Sequence, residues 1–446
     1  MIIEWQNFDY NIIWKARKQP RPAGNNHGQK IYYKNLVCAF DIETTRLRDI
    51  EQSIMYIWQF QIDEYCTVIG RTWPDFLAFL KEIKKRLRGS WLVVYVHVLS
   101  HEFQYLKGIY AFDPSEVFVM DSRKVAKCTM FDAFEFRCSY IQTNMSLREF
   151  LSKMGVEHLK TELDYTATRY PWTPLTDEEL TYCVNDVAGL VEALKKEMAL
   201  DGDDLYTIPL TSTGYVRRDC KAAMRSYNHK QLKEMLPDVA LYKMLREAFR
   251  GGNTHASRWH VGEILAGVYS YDRSSSYPDV IVNYDYPMKP FFIEGPADAD
   301  RIKELIYKKK RPVIMRAAFR NIRESRKMRY IGIPYLSKDK CRNIVGAVID
   351  NGRILSADYL ETTITDIDFK IILDCYEWDG MGALDIAYSK YGPLPKQLKD
   401  VVLDYYRRKT NLKGVSGQEL YYMKSKNKLN SCYLRNDGAG PGKRYH

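Results

Sequence analysis

Five consecutive apolar residues, 36–40 (Leu-Val-Cys-Ala-Phe), end in two acids one residue apart, Asp41 and Glu43. An apolar run without polar alternation reads as a strand buried on both faces. Strand residues i and i+2 leave the backbone on one face, so both carboxylates point the same way. Paired carboxylates at a strand end suit a hard divalent cation, which prefers oxygen ligands. Acidic strand ends also occur without metals, and the pair alone does not separate the two cases.

The length of 446 residues leaves room for roughly three domains. A net charge of +11 favours a polyanionic partner. The 34 tyrosines, interleaved with Lys and Arg, suit a groove that stacks bases and follows phosphates, and equally an aromatic core. Nine cysteines without a C-x-x-C pair argue against a disulfide framework and against zinc. The N-terminal Met-Ile-Ile-Glu-Trp-Gln has neither a charged n-region nor a long apolar h-region, so no signal peptide is expected. No apolar run approaches the roughly 20 residues that cross a membrane. A reducing, cytoplasmic setting is expected.

Residues 1–30 are basic, contain Pro20, Pro22 and Gly24, and read as a loosely ordered arm. Strand patterns follow at 36–40 and 91–96, with helical spacing at 75–87. A helix starts near Ser146, with Asn144 or Ser146 as its cap. Residues 176–198 read as a long helix, and Glu179, three after Thr176, completes a capping box. The alternation predicts an α/β fold, a sheet covered by helices. A boundary is expected at 201–213, then a helical segment to Ala248, a turn at Arg250-Gly251-Gly252 and a strand at 267–271. Short strand-like runs occupy 290–390, and two helices, 394–409 and 418–433, close the sequence. There is no internal repeat and no low-complexity tract.

Tyr182 and Asp186 lie four apart on the long predicted helix and share a face. The carboxylate can take a metal and the phenol can orient a water or a scissile phosphate. A surface helix with a common acid would look the same. Between the two sites, an apolar strand leads into a helix that carries Glu102. Asp41, Glu43, Glu102 and Asp186 would then surround two divalent ions, Mg2+ or Mn2+. Two such ions about 3.5–4 Å apart activate a water and stabilise a leaving 3′ oxygen.

In this order the motifs resemble the 3′–5′ proofreading domain of family B DNA polymerases, in the protein-primed, phage-type branch. Phe-Asp41-Ile-Glu43-Thr is similar to the first exonuclease motif, and Tyr182-Cys-Val-Asn-Asp186 to the third. Ser146-Leu147-x-x-Phe150 resembles the branch's Ser-Leu motif, which implies contact with the single-stranded primer end. Lys160-x-x-Leu163 resembles its Lys-x-x-hydrophobic motif, which implies a lysine acting at the scissile phosphate. The second motif departs from the family. An Asn four residues before an Asp is replaced by Val98 and Glu102. Glu still binds metal with a longer reach, whereas Val98 cannot hydrogen-bond the primer.

Residues 271–278, Tyr-Asp-Arg-Ser-Ser-Ser-Tyr-Pro, resemble the first palm motif of the same family. The resemblance implies a metal-binding Asp272 at a strand end and Tyr277 beneath the sugar of an incoming nucleotide. Pro278 suits the first turn of a following helix. Lys426, Asn430 and Tyr433 fall at i, i+4 and i+7, one stripe of a helix. With Ser431 they match the Lys-x-x-x-Asn-Ser-x-Tyr fingers motif, which implies triphosphate, base and sugar contacts; Leu434 stands where the family has Gly. Phe249-Arg-Gly251-Gly252 resembles the Tyr-x-Gly-Gly segment, whose glycines let backbone approach the template strand.

The resemblance implies a basic arm at 1–30 and a ribonuclease H-like exonuclease domain at 31–200. It further implies a linker and first part of an incomplete palm at 201–290, an insertion at 291–392 and two-helix fingers at 393–446. The partners implied are single-stranded and primer-template DNA, deoxynucleoside triphosphates and, at the insertion, a terminal priming protein. No Asp-Thr-Asp motif, which completes the family's palm, follows Tyr433. The expectation is an N-terminal polymerase portion that does not extend a primer alone; a split or interrupted gene, with a second chain that completes the palm, and a truncated product both stay open. A free-standing exonuclease with a vestigial palm and a non-catalytic DNA-binding remnant stay open.

Overall fold

The apolar run at 36–40 becomes the start of a longer strand, β2 (Cys38–Leu47), which carries both acids in its middle. The computed structural model describes residues 1–15, 30–33, 36–47, 51–256, 259–328 and 332–432. The chain forms two units, one of residues 1–221 and 404–446, the other of 222–403.

The first unit is built on an eight-stranded mixed sheet in the order β1-β4-β3-β2-β5-β8-β7-β6. Its strands are β1 (Ile2–Glu4), β2, β3 (Gln52–Ile62), β4 (Cys66–Gly70), β5 (Leu92–Val96), β6 (Val117–Asp121), β7 (Lys124–Met130) and β8 (Phe134–Cys138). The helices are α1 (Asn11–Lys15), α2 (Trp73–Leu87), α3 (Glu102–Ile109), α4 (Ser139–Thr143), α5 (Leu147–Met154), α6 (Asp177–Asp201) and α7 (Ser212–Ala223). Alternation along the central strands divides the core in two. Cys38, Phe40, Leu92, Val94 and Val96 pack with Phe76 and Phe79 of α2. Ala39, Val93 and Tyr95 pack with Phe150 of α5 and Val187, Leu190 and Leu194 of α6. The sheet is thus covered on both faces, as the unbroken apolar runs require.

Residues 1–15 are not a loose arm. β1 pairs in parallel with β4, and Phe8 and Ile13 are buried in the α2-side core. The rest of the expected arm, to residue 29, lies outside the described residues. The helix ends follow their capping residues. Thr176 and Glu179 form a reciprocal capping box at the start of α6, and Ser146 caps α5.

The second unit holds a seven-stranded antiparallel sheet, more extensive than short runs at 290–390 suggest. Three short helices come first, α8 (His229–Glu234), α9 (Val239–Ala248) and α10 (Ser276–Asn283). Then follow β9 (Asp285–Pro287), β10 (Phe292–Asp298), α11 (Ala299–Lys303), β11 (Val313–Glu324), β12 (Cys341–Val345), β13 (Val348–Asp350) and β14 (Arg353–Thr365). Last come α12 (Asp366–Cys375), β15 (Tyr376–Glu377), β16 (Gly380–Tyr388) and β17 (Tyr391–Pro393). β10-β16-β11-β14-β12 is the main path, with β13 on β14 and β15 on β11; β9 and β17 pair separately. The strand expected at 267–271 is absent: no described strand pairs with this segment, and Val268, Tyr269 and Tyr271 are exposed. Apolar composition without a ladder partner does not hold a strand. The terminal helices are α13 (Lys396–Leu412) and α14 (Glu419–Ser431). No helix among the described residues is long and apolar enough to cross a membrane.

Candidate active site

β2 turns Phe40 and Ile42 toward α2, so Asp41 and Glu43 emerge on the α6 side. The pairing of β2 with β3 shifts register between Glu43 and Thr44, skipping Tyr56, so a bulge sits beside the acids. Asp186, on the third turn of α6, meets them there. One ligand oxygen from each of Asp41, Glu43 and Asp186 lies within 4.8 Å of the others. Glu43 and Asp186 are buried and Asp41 is partly buried.

Burial raises the Asp41 carboxyl well above its ordinary range, and Glu43, Glu102 and Asp186 add to the rise. Burial and the Asp186 charge push Glu43 to about 8. Burial also raises Asp186, against the pull of Lys160. Like charges this close cannot all ionise without a compensating cation. Asp186 Oδ1 and Glu102 Oε2 are buried acceptors without a donor among the described residues. A carboxylate cluster with unmet acceptors fits a hard divalent cation.

Lys160 Nζ lies 2.5 Å from Asp186 Oδ2 and donates to the Tyr182 hydroxyl at 3.0 Å. Burial works against the lysine charge, but Asp186 outweighs it and raises the pKa. Tyr182 and Tyr165 hydroxyls are 2.7 Å apart. Gln59 Nε2 donates to Asp41 Oδ2 at 3.2 Å from the paired position on β3. Sequence reasoning missed Tyr165 and Gln59. Tyr165 lies in a polar stretch without periodicity, and Gln59 needs the strand register to be known.

Glu102 opens α3 and is 3% exposed, but it is not in the three-acid group. Its Oε1 contacts His101 Nδ1 at 3.0 Å, while its charge still acts on Asp41 and Glu43. Four residues earlier, Val98 has φ of 63° and is exposed. A β-branched residue in the left-handed region is strained. Ser146 is engaged as the α5 cap, and Leu147 is buried in the α6-side core. The side chain of Leu147 therefore faces the core, leaving Ser146 as the exposed member of that pair.

Of the remaining predicted residues, Phe249, Gly251, Gly252, Asp272 and Tyr277 belong to the second unit and Lys426 and Asn430 to the first. Asp272 is exposed and not at a strand end, because the strand before it is absent. Tyr277 is exposed on the first turn of α10. Phe249 caps the end of α9 and is exposed, as are Gly251 and Gly252. Neither glycine has a positive φ or, among the described residues, a neighbour that a Cβ would strike. Lys426 is exposed on α14 with Asn430 one turn on; Tyr433 lies outside the described residues.

The family described as DNA polymerase type B, organellar and viral, matches residues 142–433. No curated protein matches the sequence. Among solved structures, the chain is similar to the phi29 DNA polymerase complexed with primer-template DNA. The TM-score is 0.69 at 15% identity, covering 89% of this chain and 67% of that one. It is similar too to the phi29 polymerase complexed with single-stranded DNA, with TM-score 0.68, 14% identity, and 89% and 66% covered. A ternary complex of that enzyme with primer-template DNA and incoming nucleotide gives TM-score 0.67 at 15% identity. The chain spans about two thirds of the length of the polymerases it matches.

Proposed function

The chain belongs to the organellar and viral type B DNA polymerases, and on that premise we propose that it edits DNA from the 3′ end at the acid cluster. The observation that carries the reading is the convergence of Asp41, Glu43 and Asp186 with Lys160 and Tyr182 on one face of the sheet. Similarity to a polymerase solved with single-stranded DNA is in accord with it.

Asp41, Glu43 and Asp186, with Glu102 alongside, would hold Mg2+ or Mn2+, which would supply the positive charge for activating a water and stabilising a leaving 3′ oxygen. The chain's own groups do the rest. Lys160 holds an ammonium beside the acids, where it offsets negative charge on a phosphate oxygen. The Tyr182 hydroxyl is fixed by Lys160 and Tyr165 and holds a water or phosphate oxygen by hydrogen bond. Gln59 steadies Asp41. The exposed Ser146 and the Phe249-Arg250-Gly251-Gly252 segment are the proposed strand contacts. Residues 31–200 are the proposed exonuclease domain, 201–290 with Asp272 and Tyr277 the palm portion, and 291–392 an insertion. Lys426 and Asn430 on α14 are the proposed contacts for an incoming deoxynucleoside triphosphate.

The test is a 5′-labelled single-stranded oligonucleotide with Mg2+ or Mn2+. Wild type shortens it stepwise from the 3′ end, and Asp41→Ala with Glu43→Ala abolishes the shortening. Wild-type binding without shortening overturns the editing assignment.

A further inference from the structure

α6 carries Asp186 near its middle and ends in Asp201, with no basic residue in its last turn. A helix C-terminus already bears partial negative charge, so a carboxylate there is unfavourable unless cations meet it. They come from α14. Lys424 Nζ lies 2.7 Å from Asp201 Oδ2, and Lys428 Nζ lies 3.0 Å from Asp201 Oδ1. Lys424 also donates to the Glu197 carbonyl at 3.3 Å. Beneath them Gln142 Nε2 donates to Glu197 Oε2 at 3.2 Å and contacts the Tyr215 hydroxyl at 3.3 Å. Both lysines lie over the Tyr215 ring.

Burial works against the Asp201 carboxylate, but Lys424 and Lys428 outweigh it and hold its pKa below the usual range. Burial pushes the neighbouring Glu197 up, to about 7. Asp201 therefore holds its charge more firmly than Glu197 does. Leu420, one turn before Lys424, packs with Met423 on the core of α5 and α6, and Leu429 is buried as well. Tyr405 of α13 adds a hydrogen bond to Asp219 of α7. Lys426 and Asn430 sit two positions beyond Lys424 and Lys428, about 200° around the helix. On that side of the helix Lys426 is exposed.

We infer that Asp201, supported by Glu197, is the seat that positions α14 and so presents Lys426 and Asn430 to an incoming deoxynucleoside triphosphate. The inference rests on the nucleotide-binding reading of α14 given above. Asp201 acts through the lysines as a positioning residue and touches no ligand. One rigid helix then bears an editing carboxylate in its middle and the seat of the nucleotide-contacting helix at its end.

The full chain is examined with Mg2+ by two readouts, amide hydrogen exchange across residues 419–431 and affinity for a fluorescent deoxyadenosine triphosphate analogue. Asp201→Lys is expected to lower both protection and affinity by about tenfold or more. Adding Lys424→Glu to that variant restores alternating charge and both readouts. Lys424→Met with Lys428→Met keeps the apolar stems and repeats the loss, which covers the case that the reversal disturbs folding. Single-strand trimming stays within about twofold throughout, because Asp201 is outside the acid cluster. Unchanged protection in both variants overturns the seat. Lost protection with no analogue binding by wild type keeps the seat but overturns its role toward nucleotide, and with it the nucleotide-binding reading of α14.

Discussion

Val98 is held at φ 63°, a conformation that Asn tolerates and a β-branched side chain does not. Replacing it by Asn is expected to stabilise the protein by about 1 kcal/mol. The urea midpoint reads this directly, and an unchanged midpoint would show that the strain is absorbed elsewhere. Glu43 makes the second case. Its carboxyl is pushed to about 8, by burial first and then by Asp186. The unfolded chain releases this proton near pH 4.5, so between there and pH 8 the folded chain binds more protons. Stability of the metal-free protein therefore falls as pH rises through that window. A divalent cation relieves the same repulsion, so the rise in melting temperature with Mg2+ should be larger at pH 8 than at pH 6. Equal rises at the two pH values would remove the acids as the cause. At this scale the sequence was most legible where spacing defines a face: Asp41 with Glu43 by two, Tyr182 with Asp186 by four. Glu102 was legible as an acid at a helix start, but not its placement outside the three-acid group, which depends on how the turn from 97 to 101 is folded.

Gly189 lies on α6 within one turn of Asp186, and a Cβ there would come 2.3 Å from the His158 carbonyl. That carbonyl belongs to the segment that delivers Lys160. Glu192 ties the same segment to α6, accepting from the Glu157 backbone N–H at 2.9 Å. Ala is the better helix former by about 1 kcal/mol, so propensity alone would favour the substitution. The close approach outweighs it. Gly189→Ala is expected to displace Lys160 from Asp186 and lower the trimming rate by at least about tenfold, the scale of one lost charge contact. Affinity for single-stranded DNA should change less than the rate, since the proposed strand contacts at Ser146 and Phe249–Gly252 are untouched. A joint loss of rate and affinity would mean that α6 itself had moved. Elements announced by local chemistry were readable in advance, α6 from its Thr176–Glu179 box and α5 from its Ser146 cap. Elements made by distant partners were not. β1 exists because β4 offers a parallel edge some 65 residues later, Ile2 opposite Thr67. Residues 267–271 are equally strand-like in composition and pair with no described strand.

Each of the two units has a core of its own. The first is divided by its sheet into an α2 side around Phe40, Trp58 and Phe76 and an α6 side around Phe150 and Leu190. The second centres on Met315, Phe319, Leu360 and Phe369, contributed by β11, β14 and α12. A unit that buries a separate core is a candidate for a separate cooperative transition. The three-acid group belongs entirely to the first unit. A ligand that binds one folded unit stabilises that unit by RT ln(1 + [L]/Kd), about 2.7 kcal/mol at a hundredfold excess over Kd. Calorimetry of the whole chain should therefore resolve two transitions, only one of which moves upward, by about 5 °C or more, on adding Mg2+ or Mn2+. Trp58 is buried in the first unit and Trp378 packs on the core of the second, so Trp58→Phe and Trp378→Phe identify the peaks by fluorescence. With Asp41→Ala and Glu43→Ala in place the shift should vanish and the second peak should stay where it was. A single transition, or two that move together with metal, would mean that the cores unfold as one and that the three-acid group draws its stability from the whole chain.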